Sequence, residues 1–296
     1  MRLQIFMPFY GNPEHFRLAV ESVIAQTDPE WTLTILDDCY PDLEPGKWVV
    51  SLNDSRISYM RNTTNLLPSK NYNQAIDISS SEFIMLMGCD DLLLPNFVER
   101  SKQLIEEASP NVAVIQPRVV VIDENGHQHN GLADRVKKII GPWPISGHRM
   151  VSGEQAHVGL LKGNWTYFPS ILWRVSSFGS MRFRTDLNIV QDLSMILNLV
   201  ESNKAILVDS EISFCYRRHK QSLSGATGID GSKFVQESIL FSEAQNRALQ
   251  RGWKKSARAA KWHLLSRFNA LGELPGALLT RNTKGARNLL RHIFMS

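Results

Sequence analysis

The chain has 296 residues, 43% hydrophobic and 21% charged, which excludes a disordered polymer and describes a globular protein with a sizeable core. No apolar run approaches the roughly 18–20 residues that cross a bilayer, and "MRLQIFMPFYG" is too short for a signal peptide and lacks a cleavage site. Three widely spaced cysteines (Cys39, Cys89, Cys215) argue against a disulfide framework or zinc site, so a cytoplasmic location is expected.

"LQIFMP" reads as a strand, and Phe16, Ala19, Val20, Val23 and Ile24 recur at helical spacing, predicting an amphipathic helix over 14–26. "WTLTILDD" reads as a second strand, "RISYMR" as a short third, "NYNQAIDISS" as a helix and "EFIMLMGCDD" as a nearly unbroken apolar strand. This alternation implies a parallel sheet covered on both faces. In such sheets ligands bind beyond the carboxyl ends of the strands, where Asp37, Asp38, Asp90 and Asp91 fall. "LPNFVERSKQLIEEASP" is expected to form a helix ended by Pro110, and "NVAVIQPRVVVIDENGHQHNG" a strand entering an Asn-Gly turn. The stretch 130–165, rich in Gly, Pro and His, is expected to be loops around a short helix near 153–162. A helix at about 190–202 precedes the strand "AILVDS", and "ISFCYRRHKQSLSG" runs into a glycine-containing loop. From Ser232 onward the pattern is helical, with Trp253, Ala257, Ala260, Leu264, Phe268 and Leu271 on one stripe and Ala286, Leu289, Leu290 and Ile293 on another. The net charge of +4 is concentrated here. Residues 233–296 hold 12 Lys/Arg and 3 Asp/Glu, a balance of +9, against −5 for the rest. Such a tail suits nucleic acid, an anionic membrane face or a solvated helical surface.

Two adjacent carboxylates at a strand end are costly unless a cation or hydrogen-bond donors compensate them. One of Asp90 and Asp91 can cap the helix beginning near Pro95; together they can hold Mg²⁺ or Mn²⁺, which shares its coordination between carboxylate, water and phosphate. Both readings stay open on the residues alone. Likewise Asp37 and Asp38 can cap the turn "DDCYPD" or accept from the imide N–H of a uracil or thymine base.

"IFMPFYGNPEHFRLAVESVIAQTDPEWTLTILDDCYPD" resembles the opening of family 2 glycosyltransferases, with Pro8, Tyr10, Ser22, Gln26, Thr27, Asp37 and Asp38 in the family's places. "NTTNLLPSKNYNQAIDISSSEFIMLMGCDDLLLP" is similar to the block running up to the family's Asp-x-Asp motif. It departs from the pattern at Leu67, where Gly is usual, and at Gly88, where the first motif Asp often stands; Gly11 likewise replaces an Asn. "RTDLNIVQDLSMILNL" resembles the Glu-Asp helix, with Gln191 for Glu and Asn198 for Arg, and "YRRHKQSLSG" the bacterial Tyr-Arg-x-His segment. The likeness covers about residues 1–225.

The resemblance implies an α/β, GT-A fold: a Rossmann-like, mostly parallel sheet flanked by helices, with a C-terminal helical appendage. It divides the chain into a nucleotide-sugar half (1–110), an acceptor half (111–230) and a basic helical region (231–296). It further implies inverting transfer of a sugar from a nucleotide-sugar to a hydroxyl of a glycan or lipid-linked acceptor. Asp192 takes the place of the base. Pro8, Phe9, Tyr10, Asp38, Lys70 and Asp90 take nucleotide-binding places, and Asp91 and His219 the metal places, for Mn²⁺ or Mg²⁺. Arg217 and Arg218 add charge for phosphates, while Trp165 and Tyr167 are set against the acceptor and Trp173 in the core. Lys284, Arg287 and Arg291 share a helical face opposite Leu289, Leu290 and Ile293. That arrangement suits anionic headgroups at the inner face of the plasma membrane, or packing on the domain or a second subunit. No nucleic-acid module is present. A sugar-1-phosphate nucleotidyltransferase would carry a Gly-rich phosphate loop, and a dinucleotide enzyme Gly-x-Gly-x-x-Gly, after the first strand; "MPFYGNPEH" is neither. The non-enzymatic alternative is a degenerate binding module.

Overall fold

The computed structural model describes residues 2–129, 131–218 and 230–294. Strand β1 (Leu3–Phe9) and helix α1 (Pro13–Ile24) open the chain. Pro13 stands at the first helical position, and Asn12 caps the helix, its Oδ1 accepting from Glu14 N–H at 2.8 Å and His15 N–H at 3.1 Å. Then follow β2 (Trp31–Asp37), α2 (Glu44–Ser51), β3 (Ile57–Arg61), α3 (Leu67–Asp77) and β4 (Phe83–Leu86). These four strands are parallel, in the order β3-β2-β1-β4.

The second half is mixed. It comprises β5 (Leu92–Leu93), α4 (Phe97–Glu107), β6 (Val112–Ile122), α5 (Leu132–Ile140), β7 (His148–Ser152), α6 (Gly153–Lys162), β8 (Leu172–Arg174), α7 (Val175–Phe178), α8 (Gln191–Glu201) and β9 (Ala205–Arg217). The sheet continues β4-β8-β6-β9-β5, with β7 also on β9. Strand β8 is antiparallel to both neighbours, whereas β6 and β9 are parallel. Successive strand residues face opposite ways, and the core divides accordingly. Leu3, Ile5, Met7, Leu33 and Ile35 pack with Phe16 of α1 and Phe97 of α4. Phe6, Leu36 and Ile84 pack instead with Ala75 of α3, Leu160 of α6 and Leu197 of α8. A mostly parallel sheet flanked by helices is therefore confirmed.

Helices α9 (Ser232–Gln250), α10 (Lys254–Trp262), α11 (Leu264–Leu279) and α12 (Thr283–Phe294) complete the chain. The expected stripe from Trp253 to Leu271 breaks at His263, whose backbone has φ +26°. Ala257 and Ala260 are buried, while Leu264, Phe268 and Leu271 beyond the break are exposed. Trp173 lies fully in the core, as expected. No helix among the described residues is long and apolar enough to cross a membrane.

Candidate active site

The turn after β4 brings Asp90 and Asp91 against the end of β9. Asp91 N–H donates to Gly88 C=O at 3.4 Å, folding Gly88–Asp91 tightly before β5 pairs antiparallel with β9. Arg217, buried on β9, fixes the acidic pair. Its backbone N–H donates to Asp91 Oδ1 at 2.7 Å and its Nε to the Asp90 carbonyl at 2.7 Å. Its Nη1 donates to the carbonyls of Asp123 and Glu124, each at 3.1 Å. Arg217 is thus committed to the protein rather than to phosphates, and Arg218 to a bidentate pair with Asp134 at 2.7 Å.

Capping does not explain the pair. The next helix starts at Phe97, and its N-cap position, Asn96, makes no side-chain cap bond. Asp91 is 1% exposed, and its Oδ2 is buried without any hydrogen-bond partner. Burial, reinforced by Asp90, pushes the Asp91 carboxyl well above the usual range against the pull of Arg217. A partnerless buried carboxylate oxygen beside a second carboxylate fits a hard divalent cation, which needs one or two such oxygens and completes its shell with phosphate and water. Among the described residues no third His, Cys, Asp or Glu joins the two. His219 lies outside the described residues.

The first acidic pair behaves differently. Asp37 is fully buried; it accepts from Tyr40 N–H and Arg61 Nη1, both at 2.7 Å, and from the Tyr59 hydroxyl. Asp38 accepts from Asn62 Nδ2 at 3.0 Å, Leu66 N–H at 2.7 Å and Leu67 N–H at 3.0 Å. Both carboxylates hold loops, so a nucleotide base reaches Asp38 only in competition with backbone donors. Leu67, where the resembled family has Gly, takes the left-handed φ of +66° that favours glycine. Phe9 also departs from expectation: its ring is fully buried and stacked on Phe16 at 4.0 Å. Pro8 is half-buried within β1. Tyr10 is 53% exposed, edge-on to Tyr40 at 5.7 Å, and offers a ring face. Lys70 is exposed on the first turns of α3.

Asp192 sits in the first turn of α8 and accepts from Asn164 Nδ2 at 3.1 Å. Asn164 is held in turn by Thr166, whose hydroxyl donates to its Oδ1 at 2.6 Å. Burial raises the Asp192 carboxyl; the Leu193 N–H, the Lys137 ammonium and Asn164 oppose the rise. Lys137, on α5, donates to the Thr166 carbonyl at 2.6 Å and lies 4.3 Å over the Tyr167 ring. Burial, then Arg218, lowers its ammonium to about 8, with Asp192 and Asp134 pulling the other way.

Tyr72 on α3 ties the two acidic regions together. Burial raises its hydroxyl most, and the charges of Cys89, Asp192, Asp90 and Asp91 all add to the rise. Asp192 from the second half and Asp90–Asp91 from the first thus lie within electrostatic range of one hydroxyl. Trp165 and Tyr167 do not line an acceptor surface. They are 1% and 4% exposed, Trp165 packed on Trp143 and the Tyr167 hydroxyl donating to Asp134 at 3.1 Å. Burial and Asp90 push the Cys89 thiol up, which agrees with an unreactive cysteine. Lys137, Asn164 and Tyr72 carry no sequence signal of their own; helix α5 fell in a stretch read as loop.

The family model described as Glycosyl transferase family 2 matches residues 4–175. The provisionally named colanic acid biosynthesis glycosyl transferase WcaA of Escherichia coli strain K12 is 32% identical over 111 residues, 36% of this chain and 40% of that protein. The E. coli UDP-Glc:alpha-D-GlcNAc-diphosphoundecaprenol beta-1,3-glucosyltransferase WfgD is 27% identical over 149 residues, half of this chain and 54% of that one. The chain therefore spans about half the length of these curated relatives. Among solved structures, Staphylococcus aureus TarS 1–349 in complex with UDP-GlcNAc superposes with a TM-score of 0.69 at 15% identity, covering 99% of this chain and 82% of that one. The Pyrobaculum calidifontis mannosyltransferase PcManGT, in complex with GDP-Man and Mn²⁺, gives 0.55 at 13% identity, covering 98% and 85%. At these identities the likeness is one of fold, and it agrees with a GT-A architecture.

Proposed function

The chain belongs to glycosyl transferase family 2; from that premise we propose that it is a glycosyltransferase that moves a sugar, with inversion, from a UDP-linked donor to a hydroxyl of a glycan or lipid-linked saccharide. The observation that carries this reading is the partnerless, buried Oδ2 of Asp91 beside Asp90, with the Asp192 carboxylate within electrostatic range of the same Tyr72 hydroxyl. The UDP-GlcNAc bound to TarS and the UDP-Glc in the name of WfgD lend support to the donor. The diphosphoundecaprenol acceptor in that name supports a lipid-linked saccharide for cell-surface polysaccharide synthesis.

Each provision of the reaction has its residue. The nucleotide lies beyond the ends of β1 and β2, its base against the Tyr10 ring and the loop that Asp38 organises, and Asp90 turned to the ribose or a metal-bound water. Mn²⁺ or Mg²⁺ held by Asp91 with Asp90 supplies charge neutralisation for the diphosphate leaving group; the Mn²⁺ seen with PcManGT supports the choice. Asp192 accepts the proton of the acceptor hydroxyl as it attacks the anomeric carbon. Burial raises the Asp192 carboxyl and so strengthens it as a base, Asn164 aims its carboxylate, and the Lys137 ammonium opposes the rise. Residues 1–110 thus serve the donor and 111–230 the acceptor.

Donor turnover in the presence of Mn²⁺ tests the assignment. Asp91→Asn and Asp192→Asn are each expected to lower kcat by about 10²- to 10⁴-fold. Turnover left intact in both variants would refute it.

A further inference from the structure

We infer that α11 and α12 form a docking surface for an anionic lipid membrane. Helix α11 turns Ala270 and Ala277 inward, fully buried against Phe234. Leu264, Phe268, Leu271, Leu278 and Leu279 fall within one sector on its other side, at the spacing of an amphipathic helix. All five are exposed, Phe268 to 65% and Leu279 to 85%. Over 16 residues the stripe runs about 24 Å. Helix α12 repeats the division: Ala286 and Leu289 face inward, while Leu290 and Phe294 are exposed, Phe294 to 75%. A groove of about 990 Å³ between the two helices is lined by Leu278, Leu290 and Phe294 together with Arg281, Arg287 and Arg291.

The charge on this face identifies the occupant. Residues 264–294 hold five Lys/Arg and a single acid, Glu273. Among the described residues no carboxylate pairs with Arg281, Lys284, Arg287 or Arg291, whereas Arg184 and Arg218 of the body and Arg247 of α9 all have acidic partners. A second copy of this chain would set these unpaired arginines against their own images. An acidic, apolar-cored lipid surface accepts both features at once. Exposed Leu and Phe enter the headgroup–acyl boundary, and the cationic side chains meet the anionic headgroups. The surface is independent of the catalytic reading, since none of its residues belongs to the carboxylate site.

Co-sedimentation of the full chain with sucrose-loaded vesicles tests this. Binding is expected to phosphatidylglycerol–phosphatidylcholine vesicles and not to phosphatidylcholine alone. It should weaken about tenfold as ionic strength shortens the screening length from ~10 Å toward ~3 Å. Arg287→Glu with Arg291→Glu, and separately Phe268→Glu with Leu279→Glu, should abolish binding while leaving soluble donor hydrolysis unchanged. Equal binding to neutral vesicles, or none to anionic ones, overturns the inference. So does concentration-dependent dimerisation removed by the same substitutions, which would make this face an interface between copies.

Discussion

A Cβ built on Gly88 would overlap Oδ2 of Asp91 and lie 3.0 Å from Oδ1 of Asp90. The space that a side chain needs at this position is filled by the acidic pair itself. Gly88→Asp should therefore not supply an extra metal ligand. It would displace Asp91 and crowd three carboxylates, raising the half-saturating Mn²⁺ concentration and lowering kcat about 10²-fold; a Mn²⁺ titration of donor turnover checks this. Lys137 makes a second prediction. Its charge lowers the Asp192 carboxyl, so Lys137→Met should move the acid limb of kcat/KM to higher pH, with the donor KM little changed. A uniform drop at every pH would mean a purely structural role. Asp91 stands out in the sequence as one of an adjacent acidic pair, and Asp192 only through its place in the resembled Gln-Asp helix. Lys137 does not, since a lone lysine on a helix reads the same whether it meets solvent or a carboxylate. Trp165 and Tyr167 misled for a related reason: aromatic rings near a site and rings in a core leave the same trace.

Elements whose apolar residues repeat regularly could be read from the sequence, and those whose partners lie far away in the chain could not. Strands β1, β2 and β4 are nearly continuous apolar runs, but α5 exposes Leu132 and Ile139 and buries mainly Asp134, so its pattern resembles a loop. Strand β7 has a single buried residue and exists because β9 offers it an edge. The C-terminal helices were legible as helices, yet their joint is polar. His292 of α12, 2% exposed, shares Nδ1 with the Ser238 hydroxyl at 2.7 Å and Nε2 with that of Ser266 at 2.6 Å. Burial, then His263 and Arg267, lowers its imidazole from 6.5 to about 4. His263 is lowered too, chiefly by burial, while burial raises Glu237, which accepts from Ser266. A depressed imidazole favours the unprotonated fold, so its contribution is present above about 6.5 and is lost as pH falls toward about 4. Glu237 acts with the opposite sign, losing its contribution as pH rises, but it opposes two histidines. Denaturant unfolding at about pH 7.5 and pH 5 should differ by about 2 kcal/mol. His292→Gln should remove most of that difference; an unchanged pH dependence would show that the joint does not titrate.

At the scale of the molecule, one sheet carries two kinds of chemistry. Its parallel part sets β1, β2 and β4 to end together, so the first half of the chain was readable from the strand–helix alternation alone. The antiparallel insertion of β8 between β4 and β6 was not readable, because three buried residues carry no mark of direction. Yet that insertion joins the strands of the second half to the sheet that carries the first-half carboxylates. A site assembled from both halves should show itself in the stability of the whole chain. A ligand that binds only the folded state stabilises it by mass action, about 2.7 kcal/mol at a hundredfold excess over Kd, which corresponds to a Tm rise of roughly 5 °C or more. A UDP-sugar with Mn²⁺ should raise Tm more than the UDP-sugar alone, because Asp91 and Asp90 would hold a cation that neutralises diphosphate charge. In Asp91→Asn the Mn²⁺-dependent part of the rise should vanish while the nucleotide-dependent part persists; Tyr10→Ala should do the reverse. The measurement reads binding without turnover, so it separates a misplaced metal site from a failed catalytic assignment. An identical Mn²⁺-dependent rise in Asp91→Asn would remove the cation from the acidic turn after β4.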